Sequence, residues 1–260
     1  FYGLDSETGD GLAMGKKIGA GTINLDLVKQ YPQGVETLPH HALAATASST
    51  DTMKKSGAIY VNRDGKRIVD ELAGLGTLTK ITEAQKDSIM YIVMDKAAWK
   101  QYVAKSLEDK LVAAPSDLDK WAKIVNNGYP VMATSAKLAD AAKTMGINAK
   151  GLQATIDRWN GFVKAGADKD FGRKVLMPFG EGPYYIVEQK PRFQTTLGGL
   201  KANADMQILN KKGQPIGNLF GAGCVVGGAN GSDSLTAMMN SWAIISGVVA
   251  GDSAVKNLKK

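Results

Sequence analysis

The chain of 260 residues carries a formal net charge of +7, with 44% hydrophobic and 22% charged residues, a composition typical of soluble globular proteins. Its apolar stretches are interrupted before the roughly 18 residues that a membrane span needs, and its first residues lack the regions of a signal peptide, so the compartment, cytoplasmic or periplasmic, stays open. The basic residues are spread along the chain, which disfavours nucleic acid as a partner, and the single Cys224 excludes an internal disulfide and disfavours a cysteine-based metal site.

The first part of the chain predicts a short helix, a loop and a hairpin. In residues 9–21, GDGLAMGKKIGAG, the apolar spacing favours a short helix that ends at a glycine. Residues 31–52 have a loop-like composition and include both histidines, His40 and His41. The following GAIYVNRDGKRIVDE predicts a β-hairpin with its turn at 64–65, which Arg67 and Glu71 fix by charge pairing.

The middle of the chain predicts one strand followed by helices. Residues 91–95, YIVMD, favour a strand, and Asp95 is placed to cap the next helix. Further helices are expected over 116–128, 135–146 and 148–166, with the aromatic side chain of Trp159 in the core. From Tyr184 the pattern favours strands, and the chain closes with a helix over about 232–255.

The most informative segment is residues 218–233, NLFGAGCVVGGANGSD, where an apolar run meets a glycine-rich turn ahead of the last helix. Glycines without side chains let the main chain approach a phosphate or a flat ring, and a helix start offers N–H donors and a positive dipole. The alternative is that these glycines serve the close packing of a helix on a strand. The segment therefore predicts the closing part of a nucleotide-binding domain.

Several spaced motifs occur in order along the chain: GDGLAMGKKIGAG, GAIYVNRDGKRIVDE, RWNGFVKAGADKDFGR, TTLGGLKANADMQILNKKGQPIGNLFGAGCVVGG and WAIISGVVAG. Together they resemble the flavoprotein subunits of the fumarate reductase and succinate dehydrogenase family, notably the soluble flavocytochrome type. The resemblance implies FAD as cofactor and a small molecule as substrate. It also implies reduction or formation of a C=C bond next to an electron-withdrawing group.

The implied fold is of mixed α+β and α/β class. Residues 1–30 and 176–260 would form the C-terminal part of a Rossmann-like FAD-binding domain, and residues 31–175 an inserted α+β clamp, or cap, domain. The family's first FAD-binding strand and GxGxxG turn have no counterpart in these 260 residues. The resemblance therefore implies that the first FAD-binding strand and its turn are supplied by a longer protein or by a partner polypeptide. An electron-donor domain would be supplied in the same way.

The resemblance also assigns roles to individual residues. Those implied to contact FAD are Thr196, Gly198, Gly199, Gly223, Cys224, Gly227, Gly228, Ser234 and Leu235. Those implied to contact the substrate are Tyr31, Thr50 and Thr195. The family's proton relay falls on Asp51 and Lys54, which are the candidate catalytic residues, although a surface ion pair is the alternative for them.

At several positions the chain departs from the family pattern. Thr195 replaces a substrate-binding histidine, Ser234 replaces the arginine that clamps the substrate carboxylate, and Leu75 replaces the proton-donating arginine. Neither Thr nor Ser can imitate a guanidinium fork. We therefore expect a substrate other than fumarate. A second hypothesis is a non-catalytic module that lacks flavin and associates with a partner polypeptide.

Overall fold

A computed structural model of the chain describes residues 1–3, 5–233 and 238–258. The helices are α1 (Asp10–Lys17), α2 (Thr46–Lys55), α3 (Leu75–Glu83), α4 (Lys96–Glu108), α5 (Pro115–Lys120), α6 (Leu138–Thr144), α7 (Ala149–Ala165) and α8 (Met238–Leu258). The strands are β1 (Thr22–Ile23), β2 (Val28–Leu38), β3 (His41–Ala44), β4 (Ile59–Val61), β5 (Met90–Met94), β6 (Val125–Asn126), β7 (Tyr129–Pro130), β8 (Met132–Ser135), β9 (Tyr184–Thr196), β10 (Gly199–Leu200), β11 (Gln207–Leu209) and β12 (Pro215–Phe220).

The chain divides into two compact units. Unit 1 consists of residues 1–2 and 30–192, and unit 2 consists of residues 3–29 and 193–260. The sequence places the end of the clamp at residue 175, whereas unit 1 continues to Arg192. The reason is strand β9, which pairs with β5 and β8 over Tyr184–Gln189 and so carries the chain further through unit 1.

Unit 1 is built on a sheet with strand order β3-β2-β9-β5-β4, and β8 also pairs with β9. Strand β5 shows why this sheet is buried on both faces. Met90, Ile92 and Met94 belong to one hydrophobic cluster, while the alternate residues Tyr91 and Val93 belong to another. A strand covered on both faces is apolar throughout, and the predicted strand over 91–95 is confirmed.

Two helices of unit 1 begin after residues whose side chains cap them, one of them the predicted cap Asp95. The Asp95 side chain accepts a hydrogen bond of 2.7 Å from the Ala98 N–H at the start of α4. Helix α7 begins after Asn148 and ends at Gly166, which has the left-handed φ of 69° that favours glycine. Its buried face includes Trp159, whose side chain is fully enclosed as predicted.

The prediction of a loop over residues 31–52 is wrong. The segment forms most of β2, all of β3 and the first part of α2. Strand β2 is stabilised by pairing with distant residues, an effect that local composition does not show. In α2 a hydroxyl group bonds to the backbone of its own helix: Thr52 Oγ1 donates to the Ser48 carbonyl over 2.8 Å. Because such bonds satisfy the hydroxyl groups, a Ser- and Thr-rich sequence is compatible with a buried helix.

The predicted helix over 116–128 is shorter in the structure. Helix α5 ends at Lys120, a 3-10 turn covers Trp121–Lys123, and β6 and β7 then form a hairpin. Asn127 and Gly128 form its turn with φ values of 51° and 80°, the positive values that a tight hairpin turn requires. The Asn-Gly pair therefore marks a hairpin and not only a helix end.

Unit 2 has a small core of Ala20, Leu200, Ile208 and Val226, around which the pairs β1–β10 and β11–β12 are arranged. Helix α8 buries only Ser246 and Ala250 among its described residues. Several of its apolar side chains are instead exposed, including Ile244 at 71% and Val248 at 61%. Among the described residues, no helix has the length and apolar character that crossing a membrane would require.

Candidate functional site

Two glycine-containing segments of unit 2 lie side by side. The Gly227 N–H donates to the Leu200 carbonyl and the Gly228 N–H donates to the Leu197 carbonyl, each over 3.1 Å. Leu200 and Val226 form a parallel bridge between the same two segments. The residues predicted from the sequence as cofactor contacts at 196–199 and 223–228 are thus brought together by backbone hydrogen bonds.

Gly199 and Gly227 allow this close approach. A Cβ atom on Gly199 would lie 2.5 Å from the Gly227 nitrogen, and one on Gly227 would lie 2.2 Å from the Gly199 nitrogen. Gly198 is equally constrained, because its Cβ would lie 2.2 Å from the Asn24 carbonyl oxygen. These glycines are therefore required by packing within unit 2, whether or not a ligand also contacts them.

Gly223 is held by the last helix. Its N–H donates to Ser246 Oγ over 2.9 Å, and its carbonyl accepts a hydrogen bond of 3.1 Å from Trp242 Nε1. Its φ of 68° suits glycine. The N–H of Gly223 is thus already bonded, and Ser246, which the sequence did not single out, has a positioning role. A serine within the apolar run AIISGVVA was the available indication of that role.

The remaining predicted cofactor residues differ in exposure. Cys224 and Thr196 are exposed, Gly228 is partly buried, and Ser234 and Leu235 lie outside the described residues. Asn230, which the sequence did not predict, has a buried side-chain oxygen, Oδ1, that accepts no hydrogen bond from the part of the chain that the structure describes. A buried acceptor without a donor costs about 1–3 kcal/mol, so a donor from a ligand would be favourable at this position.

Two contacts fix the last part of the glycine-rich segment. Asn24 Nδ2 donates to the Gly231 carbonyl over 3.3 Å, and Lys29 forms an ion pair with Asp233. Asn24 directly follows β1, which pairs with β10, and Lys29 lies at the start of β2. The segment 221–233 is therefore tied to the rest of unit 2 at several points along its length.

The candidate relay residues lie on α2 in unit 1. Asp51 forms its ion pair with Lys55, with 2.9 Å between Nζ and Oδ2, and not with Lys54 as predicted. This ion pair is compatible with helical geometry, because residues four apart lie on one face. By the same spacing, Thr50 and Lys54 share a face, and the Lys54 side chain is exposed. Asp51 is thus paired with Lys55, and Lys54 forms no ion pair among the described residues.

The candidate substrate residue Tyr31 lies in β2, next to an arginine from β9. The guanidinium carbon of Arg192 lies 4.6 Å from the ring centroid of Tyr31 and 4.6 Å from that of Tyr2. Arg192 is buried, and its Nη2 donates to Thr46 Oγ1 over 3.3 Å. Thr195, the other predicted substrate contact, is partly buried and belongs to unit 2.

The hairpin residues Arg67 and Glu71 form the predicted charge pair. Arg67 donates to both carboxylate oxygens of Glu71, at 2.7 and 2.8 Å, and to Asp168 at 2.9 Å. Arg173 approaches the same Glu71 carboxylate, and all of these side chains are buried. The cluster joins the hairpin to the segment after α7 and has a structural role.

Comparisons with known proteins place the chain among flavoproteins. It is 31% identical to the urocanate reductase of Eggerthella lenta over 95% of its own length, and 32% identical to the fumarate reductase (cytochrome) of Shewanella frigidimarina over 97%. These matches cover 38% and 40% of the two relatives, so the chain spans about two fifths of the length of the curated relatives it matches.

The fold comparison agrees with the sequence comparison. The open conformation of a flavocytochrome c3 fumarate reductase matches with a TM-score of 0.72 at 28% identity, over 96% of this chain and 40% of that one. The model of the FAD binding domain family matches residues 2–238. The resemblance predicted from the motifs and the prediction of FAD as cofactor are confirmed. The chain belongs to the FAD binding domain family.

Proposed function

We propose that this chain is part of an FAD-dependent oxidoreductase that reduces, or forms, a C=C bond next to an electron-withdrawing group. The observation that carries the proposal is the paired arrangement of the 197–200 and 223–228 segments in a member of the FAD binding domain family. The names of two relatives, urocanate reductase and fumarate reductase, support the type of reaction. When bound, FAD supplies hydride transfer to or from carbon.

The residues of unit 2 fit such a cofactor. The packed glycines make the backbone around 197–200 and 223–228 rigid, which favours a preorganised contact surface. The buried Oδ1 of Asn230 has no donor among the described residues, and a flavin nucleotide offers N–H and hydroxyl donors. We propose that Thr196, Cys224 and Asn230 contact the cofactor and that Ser246 positions the Gly223 turn.

We propose that the architecture is a Rossmann-like FAD domain with an inserted clamp. In this proposal unit 2 is the C-terminal part of the FAD domain, and most of unit 1 is the clamp. The rest of the FAD domain would be a further segment, on the same polypeptide or on a partner. Two observations support such a segment: the relatives are more than twice as long, and α8 exposes apolar side chains including Ile244, Ile245 and Val248.

In unit 1 we propose that Lys54 transfers the proton that the reaction requires. Its ammonium group is exposed on α2, on the same face as Thr50, the proposed substrate contact. Asp51 holds Lys55 instead, which leaves the Lys54 side chain without an ion pair among the described residues. Leu75 has no proton to donate, so the family's donor position is inactive here.

The proposal excludes fumarate as the natural substrate. A dicarboxylate needs a cationic clamp at each end, and Thr195 and Ser234 carry no charge. An enoate or enone with fewer anionic groups needs fewer clamps. Measurable fumarate turnover by the protein would contradict this part of the proposal.

The test is the flavin content of the purified protein. We expect a yellow protein, or one that takes up added FAD and quenches its fluorescence, and we expect Gly227→Ala to weaken this uptake while Gly217→Ala, where a Cβ meets nothing within 4 Å, leaves it unchanged. A protein that includes the further segment of the FAD domain, yet is colourless and takes up no FAD, would overturn the proposal and favour the non-catalytic module.

A further inference from the structure

Arg192 differs from the other arginines of the chain. Arg63, Arg67, Arg158 and Arg173 each form an ion pair with a carboxylate. Arg192 has no carboxylate partner among the described residues, although it is only 7% exposed. A buried guanidinium without a counter-charge is expensive, because burial removes its hydration without replacing it.

The contacts of Arg192 leave its hydrogen-bond donors largely unused. The rings of Tyr2 and Tyr31 lie against the guanidinium, and Nη2 donates to Thr46 Oγ1 over 3.3 Å. Nε is buried and has no acceptor within residues 1–3, 5–233 and 238–258. Aromatic rings stabilise the faces of a guanidinium, whereas a carboxylate binds in its plane through paired N–H donors. The in-plane N–H donors of the Arg192 guanidinium therefore have no carboxylate to bind among the described residues.

The electrostatics agree with this geometry. Burial lowers the pKa of Arg192, and electrostatic interactions with Tyr2 and Tyr31 offset this effect only in part. An arginine nevertheless stays protonated at any physiological pH. The positive charge therefore persists in a buried position, and an anion from solution would be attracted to it.

We propose that Arg192 binds the carboxylate of the substrate, and that the substrate is an α,β-unsaturated monocarboxylate. This inference rests on the proposed function for the C=C chemistry, but the anion-binding role of Arg192 stands on the contacts within unit 1. One guanidinium fork binds one carboxylate. The uncharged Thr195, Ser234 and Leu75 supply no second cation at the positions where the family has one.

The test uses the 260-residue chain without flavin, so that its outcome is independent of the redox chemistry. The ¹⁵N-labelled chain is titrated with trans-cinnamate, with neutral methyl cinnamate and with inorganic phosphate. The Arg192 Nε–H resonance, assigned by its loss in Arg192→Lys, is followed by NMR. We expect cinnamate to shift this resonance in a saturable manner, and methyl cinnamate and phosphate to bind at least about tenfold more weakly.

The variants separate anion binding from a structural role. Arg192→Lys keeps the charge but not the fork, so we expect cinnamate to bind roughly tenfold more weakly, and Arg192→Met should abolish binding. The control is Arg158→Met, which removes an exposed, paired arginine of the same unit and should leave the affinity unchanged. The dispersion of the amide spectrum checks that each variant is folded.

Three results would overturn the assignment. The first is equal binding of the acid and its ester, the second is binding that survives in folded Arg192→Met, and the third is no binding of cinnamate at all. Phosphate binding as tight as cinnamate binding would also reject the carboxylate assignment, because it would mark an unspecific anion site. If the chain binds cinnamate through Arg192 but supports no C=C reduction, the role of Arg192 stands and the proposed function is rejected.

Discussion

Arg173 and Glu71 form an ion pair of 3.2 Å in which both side chains are completely buried. Arg67 binds the same carboxylate, so the negative charge of Glu71 faces two guanidinium groups. Asp168 is the second carboxylate of the cluster and pairs with Arg67. Arg173 also donates to the carbonyls of Ala58 and Ser56 at 2.7 and 3.0 Å. The hairpin that contains β4, the end of α2 and the segment after α7 are joined through these few atoms.

Glu71→Gln is expected to destabilise unit 1 strongly. Removing one partner of a buried ion pair leaves an uncompensated charge, which costs about 3–5 kcal/mol in the free energy of unfolding. Urea unfolding measures the loss. The control is Asp170→Asn, which breaks the pair with Arg158, a side chain that is 61% exposed, and should cost less than about 1 kcal/mol. Equal losses in the two variants would contradict the role of the cluster.

The stability of the protein is expected to fall in acid, partly through Asp168. Burial raises the pKa of this carboxyl group, but hydrogen bonds from Arg67 and from the Arg173 backbone N–H outweigh burial and hold the pKa below its ordinary value. A lowered folded-state pKa stabilises the fold above the unfolded value of about 3.9, and this contribution is lost as the pH falls through the folded value.

Unfolding free energies measured between neutral pH and about pH 3 test this prediction. Wild type should lose stability more steeply below about pH 4 than Asp168→Asn, which has no carboxyl group to protonate at that position. Parallel curves for the two proteins in the acidic range would show that Asp168 does not contribute to the pH dependence.

Gly199→Ala tests the contact between the two glycine-containing segments. Its Cβ would lie 2.5 Å from backbone atoms of Val225 and Gly227, which cannot move like a flexible side chain. We expect a loss of about 1–3 kcal/mol from overpacking. Gly217→Ala in β12 is the matched control and should change stability by less than about 0.5 kcal/mol, because open space surrounds that position. A Gly199→Ala variant as stable as its control would refute the packing argument.

Ser246→Ala tests the link between α8 and the Gly223 turn. The variant leaves the Gly223 N–H without its acceptor, at a cost of about 1–3 kcal/mol. Hydrogen exchange should show faster exchange at the Gly223 amide, and FAD affinity should fall with it. Ser241→Ala, on an exposed position of the same helix, should change neither quantity. Unchanged exchange at Gly223 would exclude a positioning role for Ser246.

Lys54→Gln tests the proposed proton transfer. We expect turnover of the C=C substrate to fall by roughly 10²–10⁴-fold, the usual effect of losing a general acid, with flavin binding retained. Lys55→Gln removes the adjacent lysine, which is paired with Asp51, and should leave turnover within a few-fold of wild type. Turnover by Lys54→Gln as high as that of Lys55→Gln would show that Lys54 does not transfer the proton.

The sequence predicts elements well where the pattern is local. Asp95, Asn148 and Gly166 mark helix ends through capping chemistry that needs no tertiary information, and each cap is present. Strand β2 shows the opposite case. Its residues lack a clear strand pattern, and only the pairing with β3 and β9 makes them extended.

In the candidate site, too, the features that depend on local sequence could be predicted, and those that depend on tertiary packing could not. The glycine-rich segment is evident from its sequence, but its bonds to Ser246 and Trp242 depend on how α8 packs. Asp51 pairs with Lys55, and the loop prediction for this segment gave no helical spacing from which that pair could be expected. Arg192 was missed because an unpaired charge is visible only when burial and neighbours are known.

The most direct test of the account is the reoxidation of reduced flavin in the protein. The flavin is reduced without oxygen, cinnamate is added, and the absorbance of oxidised flavin is followed while the organic product is quantified. We predict that the absorbance returns and that one equivalent of the saturated acid, 3-phenylpropanoate, forms per flavin. A protein whose reduced flavin persists in the presence of enoates and enones alike, or that holds no flavin, would contradict the account.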